Sequence, residues 1–126
     1  MQHHLGPNVP LIGIEGGRAK LSTPALTLDL ASAQKNIQAM MGHCQRTNQS
    51  LRPHAKSHKA SAIAQRQVEA GALGICCATI REAETMVDNG IPGVLITSPI
   101  TSEAKIDRLV ALHQRAENLM AVVDDS

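Results

Sequence analysis

The chain has 126 residues, 43% of them hydrophobic, with a formal net charge of +1 and no Phe, Tyr or Trp. That is enough for one domain with one core. It excludes the aromatic platforms on which single-stranded bases stack and disfavours a general nucleic-acid binder. No apolar run approaches the ~20 residues of a membrane span. The N-terminal MQHHLGPNVPLIGIEGG lacks the basic start and long apolar stretch of a secretory signal, so a cytoplasmic location without membrane contact is expected. Three cysteines, Cys44 and the adjacent Cys76 and Cys77, do not suggest a disulfide framework and read as reduced, mostly buried thiols. Any core must be built from Leu, Ile, Val, Ala and Met.

In chain order, residues 1 to 20 are rich in Gly, Pro and His and read as a loosely ordered lead-in, with the folded portion over 21 to 126. ALTLDL, from Ala25 to Leu30, alternates as a strand does. Ser32 is placed to cap a helix running to about Arg46, with Ala33, Ile37, Met40 and Met41 at helical spacing. Strands are expected at roughly Ser50 to Ala55, Gly74 to Cys77, Gly93 to Thr97 and Met120 to Val123. Helices are expected at roughly Ala60 to Ala70, Ile80 to Asn89 and Ser102 to Asn118. Gly71 and Gly90 fall where a left-handed residue closes a helix. Alternation of this kind is that of βα units in a parallel sheet.

The fold class is therefore α/β, with about four parallel strands. The candidates are a doubly wound sheet and part of a (β/α)₈ barrel. No GxGxxG or GxxxxGK motif follows a strand, which weakens a nucleotide-binding reading. The sequence given stops at AVVDDS, directly after a strand, where a parallel strand would have an open edge. Four strands are half of an eight-stranded barrel.

LRPHAKSHKA, from Leu51 to Ala60, holds Arg52, His54, Lys56, His58 and Lys59 and no acid. Period two places Arg52, His54, Lys56 and His58 on one side while the strand stays extended. They fall at the strand's C-terminal end, where barrels and open α/β sheets carry their chemistry. A lysine among cations is easier to deprotonate and suits imine formation, and the same field attracts phosphate. The simplest reading of such a run is still a solvated anion patch. His54 and His58 have metal-ligand spacing only on a helix; with Pro53 beside them and no HExxH, no metal ligands are assigned.

TPALTLDLASAQKNI (Thr23 to Ile37), LRPHAKSHKASAIAQRQVEAGALGICCATIREAETMVDNGI (Leu51 to Ile91) and the following VLITSPI resemble the start of the D-threonine aldolases. They also resemble the wider group of eukaryotic D-serine dehydratases with an alanine-racemase-type N-terminal domain. The resemblance implies a fold-type III pyridoxal phosphate enzyme. Residues 21 to 126 would be the N-terminal portion of its PLP-binding barrel, the first half of a (β/α)₈ TIM-type barrel. It implies a Schiff base between pyridoxal 5'-phosphate and Lys56, not Lys59; Arg52 and His54 read as the cationic field around that lysine and, with Thr79 just past a strand end, are the expected cofactor contacts. It further implies a small D-β-hydroxy amino acid substrate and a homodimer for full-length members.

In an aldolase of this kind the Cα–Cβ bond breaks to give glycine and an aldehyde; in a dehydratase the β-hydroxyl is expelled. A divalent metal, bound near the C-terminus of full-length members, has no ligand positions in this sequence, and a fragment of this extent is expected to be inactive. A non-catalytic PLP-binding protein and a cofactor-free anion-binding α/β module are the readings outside the enzyme class. Cys76 and Cys77 read as packing residues, Thr79 first as a helix cap and second as a cofactor contact, and Glu82 and Glu84 as acids favoured in a first helical turn. Asp124 and Asp125 follow the last strand, at the catalytic end.

Overall fold

The computed structural model of the chain describes residues 6–124; Asp125 and the start of the lead-in lie outside them. Contacts divide the chain into two units, Met1–Leu30 and Ala31–Ser126. The described part of the first is built on two 3₁₀ turns, Val9–Leu11 and Gly17–Lys20. Asn8 closes it: its side-chain amide donates to Ser22 O at 2.9 Å, and its Oδ1 accepts from Ser22 N at 2.8 Å. The expected strand over Ala25 to Leu30 is absent. A strand needs a neighbouring strand for its N–H and C=O groups; no strand ladder is formed along this stretch among the described residues, and Leu26 and Leu28 are exposed.

The second unit alternates helices with short parallel strands. Helix α1 spans Leu30–Arg46, starting two residues before Ser32, so Ser32 lies within the helix rather than capping it. Then come α2 (Ser61–Glu69), β1 (Cys76–Cys77), α3 (Ile80–Asp88), β2 (Leu95–Ile96), α4 (Glu103–His113) and β3 (Met120–Ala121). The last helix ends well before Asn118. There Glu117 O accepts from Gly93 N at 2.9 Å, which draws the chain out of helical geometry and into β3. Gly71 and Gly90 both have positive φ, as expected.

The sheet runs β1-β2-β3, all parallel. A further parallel bridge joins His54 to Cys76, and the ladder extends on that side through Leu73 N to Leu51 O (2.9 Å) and Cys76 N to Pro53 O (2.7 Å). The segment around His54 thus precedes β1 in a sheet whose spatial order follows chain order. Sequential parallel order with intervening helices is the pattern of a barrel rather than of a doubly wound sheet.

Alternation along the strands decides which face is buried. Ile75, Cys77, Val94 and Ile96 are fully buried against Ile80, Ala83 and Met86 of α3, Ile91, and Leu112 of α4. Cys76, Leu95 and Met120, in register across the sheet, are only half-buried on the other face. The core contains Leu, Ile, Val, Ala and Met, as the composition requires, with Cys77 added. At the start of the strands two glycines touch. A Cβ on Gly74 would overlap Gly93 O, and one on Gly93 would overlap Leu73 O; their φ values are +141° and +62°. Either Gly74→Ala or Gly93→Ala is therefore expected to destabilise the fold by at least about 2 kcal/mol, read as a lowered urea midpoint.

Candidate functional site

The C-terminal ends of the parallel strands bring together parts of LRPHAKSHKA, the start of α3 and the residue after β2. The chain stays extended only as far as His54. Ala55–Ser57 form a 3₁₀ turn, so Lys56 does not continue the alternation of Arg52 and His54. The expected single face of four basic residues is thus two, followed by a turn that presents Lys56 to solvent. The cause is local: His54 Nδ1 accepts from Lys56 N at 3.2 Å, while His58 N and Lys59 N both donate to Ala55 O, tightening the backbone behind it.

Each predicted residue has a defined place. Arg52 Nε donates to Gly93 O at 2.9 Å, which puts its guanidinium toward the strand starts, away from the edge that carries Lys56. His54 Nε2 lies 3.2 Å from Thr97 Oγ1, which itself donates to Cys77 O at 3.1 Å. Thr79 caps α3, its hydroxyl accepting from Glu82 N at 3.2 Å, and is exposed. His58 turns away: its Nδ1 accepts from Ala60 N at 3.1 Å. Its Nε2 and Gln67 Oε1 are buried without a hydrogen-bond partner, and burial lowers its pKa.

The two cysteines separate by face. Cys77 belongs to the core, and burial pushes its thiol up to about 12, which keeps it an inert packing group. Cys76 lies on the half-buried face, its Sγ donating to Arg52 O at 3.4 Å; burial raises its pKa, opposed by Arg52.

Lys59 and Lys56 differ in environment. Lys59, at φ +50°, sits before α2 and pairs through Nζ with Glu82 Oε1 at 3.0 Å. Glu82 also accepts from Ala78 N at 2.8 Å. Among the described residues Lys56 enters no ion pair. Thr97 and Glu82 were not predicted as site residues. Period two applied to Gly93 to Thr97 would have found Thr97, which shares a face with Leu95 and ends the strand. Nothing in the sequence pairs Glu82 with Lys59.

Two clefts open on this unit. One of about 550 Å³ runs along α1 and α2, lined by Gln34, Gln38, Met41, Gln45, Arg66 and Glu69. A smaller one of about 210 Å³ is lined by Lys59, Thr79, Arg81, Glu82 and Thr85. Among the described residues no three His, Cys, Asp or Glu side chains gather around one point, and no helix is long and apolar enough to cross a membrane.

A parallel α/β half-barrel with a lysine on the turn after a strand defines a class of lysine-bearing barrel proteins. Comparison with known proteins makes this particular. The family model of the alanine racemase N-terminal domain matches residues 28–125, and the chain belongs to that family. It is 40% identical to a D-threonine aldolase from Arthrobacter over 108 residues, covering 86% of this chain and 28% of the relative. It is 32% identical to a 3-hydroxy-D-aspartate aldolase from Paracoccus denitrificans, over 98% of this chain and 32% of the relative. The crystal structure of D-threonine aldolase from Filomicrobium marinum superposes with a TM-score of 0.82 at 47% identity, over 85% of this chain and 29% of that one. The chain therefore spans less than a third of the length of these relatives, and its fold is the N-terminal part of their TIM-type barrel.

Glu82 provides a measurable electrostatic consequence. Burial opposes its ionisation, but hydrogen bonds from Lys59, Ala78 N and Thr79 N outweigh that and hold its carboxyl below the usual range. A carboxylate depressed in the folded state stabilises the fold above its unfolded pKa, and this contribution is lost as pH falls through the folded value. Glu82→Gln is expected to cost about 1 kcal/mol at neutral pH and to flatten the loss of stability between neutral and acid pH, measured by urea unfolding at several pH values.

Proposed function

We infer that this chain is part of a pyridoxal-phosphate-dependent lyase that cleaves D-β-hydroxy amino acids between Cα and Cβ, as a D-threonine aldolase does, with Lys56 attaching the cofactor. The observation that carries this reading is the contrast between the two lysines of one turn. Lys59 is neutralised by Glu82, while Lys56 is exposed at the strand ends and unpaired among the described residues. The aldolase relatives supply the reaction class.

Pyridoxal phosphate, when bound, supplies an electron sink for the bond broken at Cα. The chain's own residues fit the attachment. Lys56 is exposed and enters no ion pair among the described residues, at the end of the sheet where barrels place their chemistry. His54 holds the main chain of Lys56 through Nδ1. Thr79 stands at the same edge, at the start of α3, and is proposed with His54 as a cofactor contact. Arg52, bound to Gly93 O, serves this reading through the sheet, by pinning the start of β2. The divalent metal implied by the resemblance finds no ligand cluster among the described residues. A small D-amino acid substrate, a cytoplasmic location and a homodimeric full-length protein belong to the same proposal.

Similarity to a D-threo-3-hydroxyaspartate dehydratase from Delftia, 33% identical over 82% of this chain and 27% of the relative, supports β-elimination as the second reading. The two separate by product: glycine and an aldehyde against an oxo acid and ammonia.

Titrating the folded chain with pyridoxal phosphate is expected to produce a visible absorbance band that Lys56→Ala abolishes and Lys59→Ala retains. No band in folded wild type, or a band that survives Lys56→Ala, contradicts the assignment. Assayed alone with D-threonine, these 126 residues are expected to release little or no glycine. Turnover matching a full-length aldolase would show that the remaining two thirds of the relatives' length is dispensable.

A further inference from the structure

We propose that Thr97 is a positioning residue for Lys56: its hydroxyl fixes the tautomer of His54, and His54 in turn holds the main-chain N–H of the lysine's turn. The proposal rests on the reading of Lys56 as the cofactor lysine and concerns residues on three successive strand ends.

The proton positions follow from the hydrogen bonds. Thr97 Oγ1 donates to Cys77 O at 3.1 Å. Its only hydrogen is used, so toward His54 Nε2, 3.2 Å away, it offers a lone pair. Nε2 must therefore carry the imidazole proton. That leaves Nδ1 bare, and Nδ1 accepts from Lys56 N at 3.2 Å. The opposite tautomer would set Nδ1–H against Lys56 N–H and lose that bond, and it would keep a bond at Nε2 only by turning the Thr97 hydroxyl away from Cys77 O. Cys77 O is fixed in its turn, because it also accepts from Thr97 N at 2.9 Å in the sheet ladder. One end of the clasp is therefore the ladder and the other is the turn bearing Lys56.

The clasp explains why the segment leaves the extended conformation after His54. His54 is the N-cap of the 3₁₀ turn, and a capping side chain must be held in an accepting state to work. Most caps are Ser, Thr, Asp or Asn, which accept without assistance. A histidine cap accepts only in one tautomer, and Thr97 selects it.

The test uses the ¹⁵N-labelled chain. Long-range ¹H–¹⁵N spectra are expected to show His54 protonated at Nε2 and bare at Nδ1, with slow hydrogen exchange at the Lys56 amide. Thr97→Val, which keeps the shape and removes the hydroxyl, is expected to mix the tautomers. It should speed exchange at that amide by about threefold to tenfold and slow formation of the pyridoxal phosphate band by a similar factor. Thr97→Ser should restore both. In His54→Asn the amide oxygen accepts without help, so adding Thr97→Val should leave exchange at Lys56 unchanged.

Wild-type His54 protonated at Nδ1, or a Lys56 amide exchanging as fast as its neighbours, overturns the proposal without any variant. So does a folded Thr97→Val chain with unchanged tautomer and exchange. A missing absorbance band in wild type would instead remove the functional reading, while the tautomer and exchange data still decide the clasp.

Discussion

The parallel ladder from Leu51 to Val122 is the constraint on which the candidate site depends. Leu73 N, Cys76 N, Leu95 N, Thr97 N, Met120 N and Val122 N each donate to a carbonyl of the preceding strand, so every strand points the same way. Parallel direction is what delivers the turn after His54, the start of α3 and Thr97 to one edge. It needs crossover helices, and these supply the buried layer that keeps the ladder in place. With no aromatic residue in the chain, that layer depends on close approach of small aliphatics. Ala55, Ala64 and Ala83 are fully buried, and Gly74 and Gly93 touch at the strand starts.

Charge is arranged around this frame so that, of the two lysines beside the turn, Lys59 is paired and, among the described residues, Lys56 is not. Glu82 is held by the backbone at the start of α3 and takes up Lys59; it is only 11% exposed, against 68% for Lys59, so the carboxylate is the fixed partner and the lysine comes to it. On the outer surface Glu84 meets Arg108 through two bonds and Asp88 meets Arg115, joining α3 to α4. Exposed pairs of this kind contribute modestly to stability. Their arrangement matters more here because each acid of α3 is matched by another cation, and among the described residues none pairs with Lys56.

Much of this was legible in the sequence because apolar periodicity reports burial directly. The strands near Cys76, Leu95 and Met120 and the helices between them follow from it, as do Gly71 and Gly90 at the helix ends. The separation of Lys56 from Lys59 came from the family resemblance; the pairing of Lys59 with Glu82 had no signal in the sequence. Where alternation had no partner to satisfy it, the same rule misled: ALTLDL reads as a strand and forms none. Period two also carried the extended chain past His54, because nothing in a one-dimensional pattern announces a histidine cap whose ring contacts a threonine 43 residues away. Arg52 was placed beside the lysine by that pattern, whereas its bond to Gly93 O directs it toward the other end of the strand.

The central claim is that this fold presents Lys56, and not its neighbour three residues on, for covalent attachment of an aldehyde cofactor. The most direct measurement is to treat the folded chain with pyridoxal phosphate, reduce with borohydride, digest, and locate the modified lysine by mass spectrometry. The account predicts the label on Lys56 as the dominant product. A label concentrated on Lys59, or spread evenly over the surface lysines, would contradict it.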